Sequence, residues 1–217
     1  MMLPAQLGAP GVPINLLCLG AHCDDIEVGC GGTVMRLLSE HPSSSVYWLV
    51  FASNPERAKE AKASAADFLA EAGHAEVAVK GFRDGYLPHE WASIKDAFEA
   101  TKPIFRPDVI LTHHRGDRHQ DHNIVAELTW NTFRDHLILE YEIPKYEGDM
   151  GTPNLFIPLS DAIAARKLDL LAKHFPSQHA KSWYRASTFE AVMHLRGIEC
   201  NSPAGLAEAF HATKLVI

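Results

Sequence analysis

The sequence predicts an α/β fold: a Rossmann-like, doubly wound, mostly parallel sheet with C-terminal embellishments. Two observations predict it. Short apolar runs without polar alternation recur along the N-terminal two thirds, as strands covered on both faces require. Between them lie stretches of helical length, so strand and helix alternate.

Ile14 to Leu19 opens the series, broken only by Asn15 and ending in Gly20-Ala21-His22. A helix is predicted over 32–40, after a glycine-rich segment, and Val46 to Ala52 (VYWLVFA) is the second strand. Asn54 is a candidate N-cap with Pro55 at the first helical position, which predicts a helix over 55–72 closed by Gly73. Val77 to Val79 is a weaker third strand, 89–102 a helix, Asp108 to Thr112 (DVILT) a fourth strand and 121–134 another helix. Beyond Leu137 the pattern loosens into acidic residues, prolines and glycines. Helical stretches at 160–174 and 187–195 follow, then a short apolar end, Lys214 to Ile217. No repeat, low-complexity segment or linker divides the chain, so one domain over 1–217 is expected.

Of 217 residues, 47% are apolar and 22% charged, which supports a full core and excludes a disordered chain. The 27 acidic against 20 basic residues, net charge −7, weigh against a nucleic-acid binder, which shows a basic patch. No window approaches ~18 consecutive apolar residues, so no spanning helix is expected. Met1 to Pro13 lacks the charged and apolar regions of a signal peptide. Cys18, Cys23, Cys30 and Cys200 form no CxxC pair and read as reduced thiols of a cytoplasmic protein. The unusual feature is histidine: 13 in all, four of them between His113 and His122.

Two constellations carry the chemistry. The first follows the first strand, where His22, Asp24, Asp25 and Glu27 lead into Gly29, Gly31 and Gly32. A glycine-rich turn suggests a dinucleotide site, but there is no GxGxxG. Asp24 and Asp25 also stand where a pyrophosphate needs N–H groups and positive potential. Two carboxylates beside an imidazole suit a divalent cation instead. The second follows the Asp108 strand: His113-His114-Arg115-Gly116-Asp117-Arg118-His119-Gln120-Asp121-His122. Any one of these histidines alone reads as part of a solvated loop. Four with two interleaved aspartates read as a metal or catalytic cluster. In the common doubly wound sheet, strands one and four are neighbours and ligands bind between their carboxyl ends. The two constellations therefore meet in one cleft.

His22-Cys23-Asp24-Asp25 with Glu27 and Gly29, together with Asp117-Arg118-His119-Gln120-Asp121-His122, resemble the two signature motifs of the PIG-L-type zinc de-N-acetylases. That family removes acetyl groups from N-acetylglucosamine conjugates and related small molecules. Weaker similarity spans most of the chain, through Arg57 to Glu60, Phe82-Arg83-Asp84-Gly85 and Ala207-Glu208-Ala209-Phe210. The resemblance implies His22, Asp25 and His122 as ligands of one Zn²⁺ per chain, an open three-ligand site of the catalytic kind. It implies Asp24 as general base, and His119, with the metal, as stabiliser of a tetrahedral oxyanion. Arg57 becomes a substrate contact, against the alternative of a surface charge on its helix. Asp121 is either a partner fixing a histidine N–H or a charge complementing the helix N-terminus. Cys23 replaces the family's usual proline, which bears on the turn rather than on the ligands. The implied partner is a small N-acetylated substrate, with no nucleic acid and no membrane span, and homo-oligomers are common in the family.

Other residues stand further out. Glu27 reads as structural, one of His113 and His114 as a packed core residue, and Cys30 as a small buried hydrophobe. Glu142, Lys145, His174, His179 and Arg196 are candidates for the outer pocket. The leading expectation is a zinc-dependent N-deacetylase acting on an amino sugar, a sugar conjugate or a similar N-acyl metabolite. One competitor is a metal-dependent phosphoesterase, whose second ligand set only Glu27 and Asp117 offer. The other is a metal-bearing sugar-binding protein, which has no use for a base.

Overall fold

The computed structural model describes residues 6–216. Among them, strands β1 (Asn15–Gly20), β2 (Ser45–Ala52), β3 (His74–Phe82), β4 (Val109–His113), β5 (Leu137–Tyr141), β6 (Leu155–Pro158) and β7 (Ala207–Ala212) form one sheet in the order β3-β2-β1-β4-β5-β7-β6. The first five are parallel, and β7 runs antiparallel to β5 and β6. The predicted α/β class and parallel sheet are present, and Leu16 to Cys18 of β1 pair directly with Val109 to Leu111 of β4.

Helices α1 (Asp25–Glu40), α2 (Pro55–Phe68), α5 (Asp161–His174) and α6 (Ala186–Glu199) cover one face. On the other lie α3 (Trp91–Thr101) and α4 (Gln120–Thr132). The unbroken apolar runs follow from this. Leu16 and Cys18 of β1 enter one core while Leu17 and Leu19 enter the other, so no position is left for a polar residue.

Several expectations are corrected. The first helix starts at Asp25 rather than near position 32, and it bends at Cys30, whose φ of −147° is not helical. The glycines therefore lie inside a kinked helix, where they permit close approach. A Cβ on Gly29 would stand 2.3 Å from the Tyr141 ring. The kink frees backbone groups that a buried pair satisfies. Glu208 accepts from the Gly32 and Thr33 amides (2.9 and 2.6 Å), and Lys167 donates to the Val28 carbonyl (2.7 Å) and to Glu208 (2.6 Å). The α2 cap is as predicted, with Asn54 accepting from the Arg57 amide at 2.9 Å.

Strand β3 is longer than Val77 to Val79 because it is an edge strand. Its outward residues are polar, which dilutes the apolar signal. Strands β5, β6 and β7 were not expected, and the apolar end forms no strand over 214–216. Ile217 lies outside the described residues, as do positions 1–5.

Candidate functional site

The carboxyl ends of β1 and β4 bring the two constellations together. His22, Asp24 and Asp25 leave β1 and enter α1, while Asp117 to His122 lead from β4 into α4. The His22 Nδ1 atom lies 3.2 Å from His122 Nε2 and 3.3 Å from Asp25 Oδ2, and His122 Nε2 lies 3.5 Å from Asp25 Oδ1. Tetrahedral zinc with bonds of about 2.0–2.1 Å has ligand atoms roughly 3.3–3.4 Å apart, a spacing close to that of the two nitrogens, with Asp25 turning Oδ2 to one ring and Oδ1 to the other.

The far nitrogen of each ring faces a carboxylate. His122 Nδ1 is 2.9 Å from Asp117 Oδ2, and His22 Nε2 is 3.2 Å from Asp121 Oδ2. These partners favour a proton on each outer nitrogen and turn the inner ones, His22 Nδ1 and His122 Nε2, toward Asp25 and each other, the orientation metal-binding histidines use. Asp117, which the sequence offered only as a leftover ligand, also accepts from the His119 amide (2.8 Å) and pairs with Lys145 Nζ (3.0 Å). It thereby holds both histidines of its motif. Asp121 accepts from the Gly85 and Leu87 amides as well (2.7 and 3.1 Å), fixing the loop that follows β3. Asp84 of that loop reaches within 3.2 Å of His22 Nε2.

Other donor groupings overlap this one. His119 lies near His22 and His122, His113 near Asp25 and His122, and Asp84 with Asp121 near His22. His113 Nε2 faces the Ala21 amide at 3.0 Å, which uses its lone pair, and its ring stacks on His122 at 4.0 Å. His119 caps α4, accepting from the Asp121 amide through Nδ1 at 3.2 Å, so a neutral ring carries its proton on Nε2. The grouping with Asp84 and Asp121 shares the His22 ring with the first set. One imidazole does not serve two ions without losing both protons, which leaves a two-metal site poorly provided for.

Charge follows geometry. Burial works against the Asp25 charge, but the His122, His22 and His113 rings around it hold its carboxyl well below the ordinary range. Burial also opposes protonation of His22, yet Asp25, Asp121 and Asp84 together push that ring well above its usual value. His122 goes the other way, to about 4, through burial and the neighbouring His113. Asp25 as an anion and His122 as a neutral ring are already in the forms a cation takes, whereas His22 must release a proton to bind one.

Asp24 points elsewhere. Its Oδ1 accepts from Arg57 Nη2 at 2.6 Å, and its buried Oδ2 has no protein partner among the described residues. Burial raises the Asp24 carboxyl and Arg57 counteracts it, leaving it above its ordinary value. Arg57 is thus placed on a carboxylate rather than free in the cleft. Its other nitrogen, Nη1, donates to Glu60 and Ser177, both at 3.1 Å.

Glu27 is fully buried. Burial pushes its carboxyl up to about 8. The Cys23 thiol is directed at the Ala52 carbonyl (3.5 Å), and burial pushes it up to about 12. Of the outer candidates, Lys145 joins Asp117. Glu142 and Arg196 pair with each other at 2.8 Å, and His174 binds Asp67. Glu60 lies in the Arg57–Glu60 segment that the sequence marked as similar, but neither its role nor that of Ser177 was legible, because that role exists only once α2 and the turn after α5 are packed together.

Known proteins share this fold. The fold matches an N,N'-diacetylchitobiose deacetylase from Pyrococcus horikoshii with a TM-score of 0.69 and 17% identity, over 92% of this chain and 83% of that one. The zinc-inhibited form of teicoplanin deacetylase matches with a TM-score of 0.69 and 13% identity, over 91% and 97%. A 4-carboxy-2-hydroxymuconate hydratase from Pseudomonas putida KT2440 also scores 0.69, at 14% identity over 94% and 98%. At such identities the likeness establishes the fold, and that fold carries more than one reaction. A more specific match is the PIG-L family model, GlcNAc-PI de-N-acetylase, which covers residues 17–133 and so contains both constellations. With both motifs, the sheet order and a match over more than half its length, the chain belongs to the PIG-L family.

Proposed function

We propose that this protein is a zinc-dependent hydrolase that removes an N-acetyl group from an amino sugar, a sugar conjugate or a similar small metabolite. The observation that carries the reading is the separation of roles between adjacent aspartates. Asp25 faces the inner nitrogens of two imidazoles, whereas Asp24 is turned to Arg57, with one buried oxygen unpartnered among the described residues. His22, Asp25 and His122 would hold the ion, which when bound supplies Lewis-acid polarisation of the amide carbonyl and of the attacking water.

The chain's own groups do the rest. Asp24 takes a proton from water at Oδ2 as the oxygen attacks the acetyl carbon. His119, with its Nδ1 used as a cap, donates from Nε2 to the developing oxyanion. When the carbon–nitrogen bond breaks, the proton held on Asp24 passes to the leaving nitrogen, giving acetate and an amine.

The family match and the deacetylases among the structural neighbours support this reading. The test is a panel of N-acetylated amino sugars and sugar conjugates, given to metal-loaded protein and scored by new primary amine. The expected result is turnover of at least one member and its loss on chelation. Stoichiometric metal without amine release from any member would falsify the reading.

A further inference from the structure

Arg57 is clamped at three points. Its Nη2 donates to Asp24 Oδ1 at 2.6 Å, and its Nη1 donates to Glu60 Oε2 and to Ser177 Oγ, each at 3.1 Å. Glu60 and Ser177 are themselves tied twice, with the Ser177 amide on Glu60 Oε1 (2.9 Å) and the Ser177 hydroxyl on Glu60 Oε2 (2.6 Å). The guanidinium carbon stands 5.5 Å from the centroid of the Phe175 ring. Glu60 lies one turn along α2 from Arg57. Ser177 lies on the short 3-10 turn Pro176–Gln178, which follows α5.

A guanidinium is a planar fork, and fixing one of its nitrogens fixes the direction of the other. With Nη1 held by Glu60 and Ser177, the plane of the guanidinium is set, and one N–H of Nη2 is directed at Asp24 Oδ1. The other oxygen of Asp24, Oδ2, is buried without a protein partner among the described residues. We infer that Glu60 and Ser177 are positioning residues: through Arg57 they fix the Asp24 carboxylate so that Oδ2 is the oxygen offered to the reacting proton. Arg57 thereby acts on the base. Packing of the turn at Pro176–Gln178 against α2 becomes a condition for a correctly oriented base. The inference rests on the proposed role of Asp24.

Two independent readouts test it. On a substrate that the wild type turns over, Glu60→Ala and Ser177→Ala should lower kcat by about 10–100-fold and about several-fold respectively, the scale of a misplaced catalytic group. KM and bound metal should stay as in the wild type. Glu60→Gln, which keeps an acceptor for Arg57, should recover most of kcat. Wild-type kcat in Ser177→Ala, or a raised KM with kcat unchanged in either alanine variant, overturns the clamp and returns Arg57 to substrate contact. Ser177→Ala decides the matter should Glu60→Ala not fold.

The second readout needs no turnover. Rotation of the Arg57 guanidinium, followed by ¹⁵N NMR, should be slow in the wild type and fast in Glu60→Ala and Ser177→Ala. Unchanged slow rotation in Ser177→Ala overturns the clamp. If rotation is released as expected while the wild type hydrolyses nothing, the clamp stands and the deacetylase reading falls.

Discussion

The two adjacent aspartates are chemically identical, so only their surroundings can divide the labour between them. Asp25 sits among three imidazoles and Asp24 against a guanidinium. Asp24→Asn should keep the metal and lower turnover by ~10²–10⁴-fold, the usual worth of general acid–base catalysis. Asp25→Asn should instead lose metal, with activity partly restored by added zinc. Metal analysis beside turnover checks both, and the opposite pattern would mean that the roles are exchanged. Asp117→Asn should weaken metal affinity by about 10–100-fold, since it holds the His122 ring by its outer nitrogen. A competition titration with a chelating dye reads this directly, and unchanged affinity would remove Asp117 from the ligand support. In sequence, only Asp121 read as a partner for a histidine N–H, and Asp117 read as a leftover ligand. Which histidine each serves depends on where the β4–α4 loop lays them.

Among elements, the most exacting contact is the kink of α1 on the Lys167–Glu208 pair. Both side chains are almost fully buried, at 2% and 3% exposure, so removing one leaves the other as an uncompensated charge. Glu208→Ala should cost about 3–5 kcal/mol by urea denaturation. The double change Lys167→Met with Glu208→Leu should recover part of that but not all, because the Gly32 and Thr33 amides stay without their acceptor. Full recovery would show that the capping of the kinked helix is worth nothing. Helix α6 presses equally hard on the loop before β7. A Cβ on Gly197 would stand 2.1 Å from the Gly205 carbonyl oxygen, a backbone atom with little room to yield. These element contacts left no trace in the pattern of residues. Glu208 interrupts the apolar run of β7, and a strand carrying a buried charge does not look like a strand.

At the scale of the molecule, the helices α2 and α5 are joined by Asp67, which accepts from Lys173 and His174, both at 2.7 Å. These hydrogen bonds hold the Asp67 carboxyl below its ordinary value. A carboxyl lowered in the folded state adds stability above the unfolded value of about 3.9 and loses it as pH falls through the folded one. Asp67→Asn should therefore lower Tm slightly at pH 7, with the gap closing as pH falls below the unfolded value of about 3.9 and through the lower folded one. A gap that persists in acid would assign the effect to packing. The thiols give a check on the whole fold. Cys18, Cys23 and Cys30 are buried and Cys200 is half-buried. A thiol reagent should titrate at most one cysteine in the native protein and all 4 after denaturation. More than one fast native thiol would mean that the sheet opens around β1.

By itself the sequence determined the parallel half of the sheet and which residues make up the candidate cluster. Residues that pack on both sides leave unbroken apolar runs, and the chemistry of a cation site asks for imidazole and carboxylate at strand ends. Those are local demands, written in adjacent residues such as His22, Asp24 and Asp25. Tertiary structure alone decided the antiparallel edge, the bend of α1 at Cys30, the division of histidines between Asp117 and Asp121, and the capture of Arg57 by Asp24. Each of these joins groups far apart in the chain, and a contact between distant side chains has a direction and a distance only after the elements that carry them have packed.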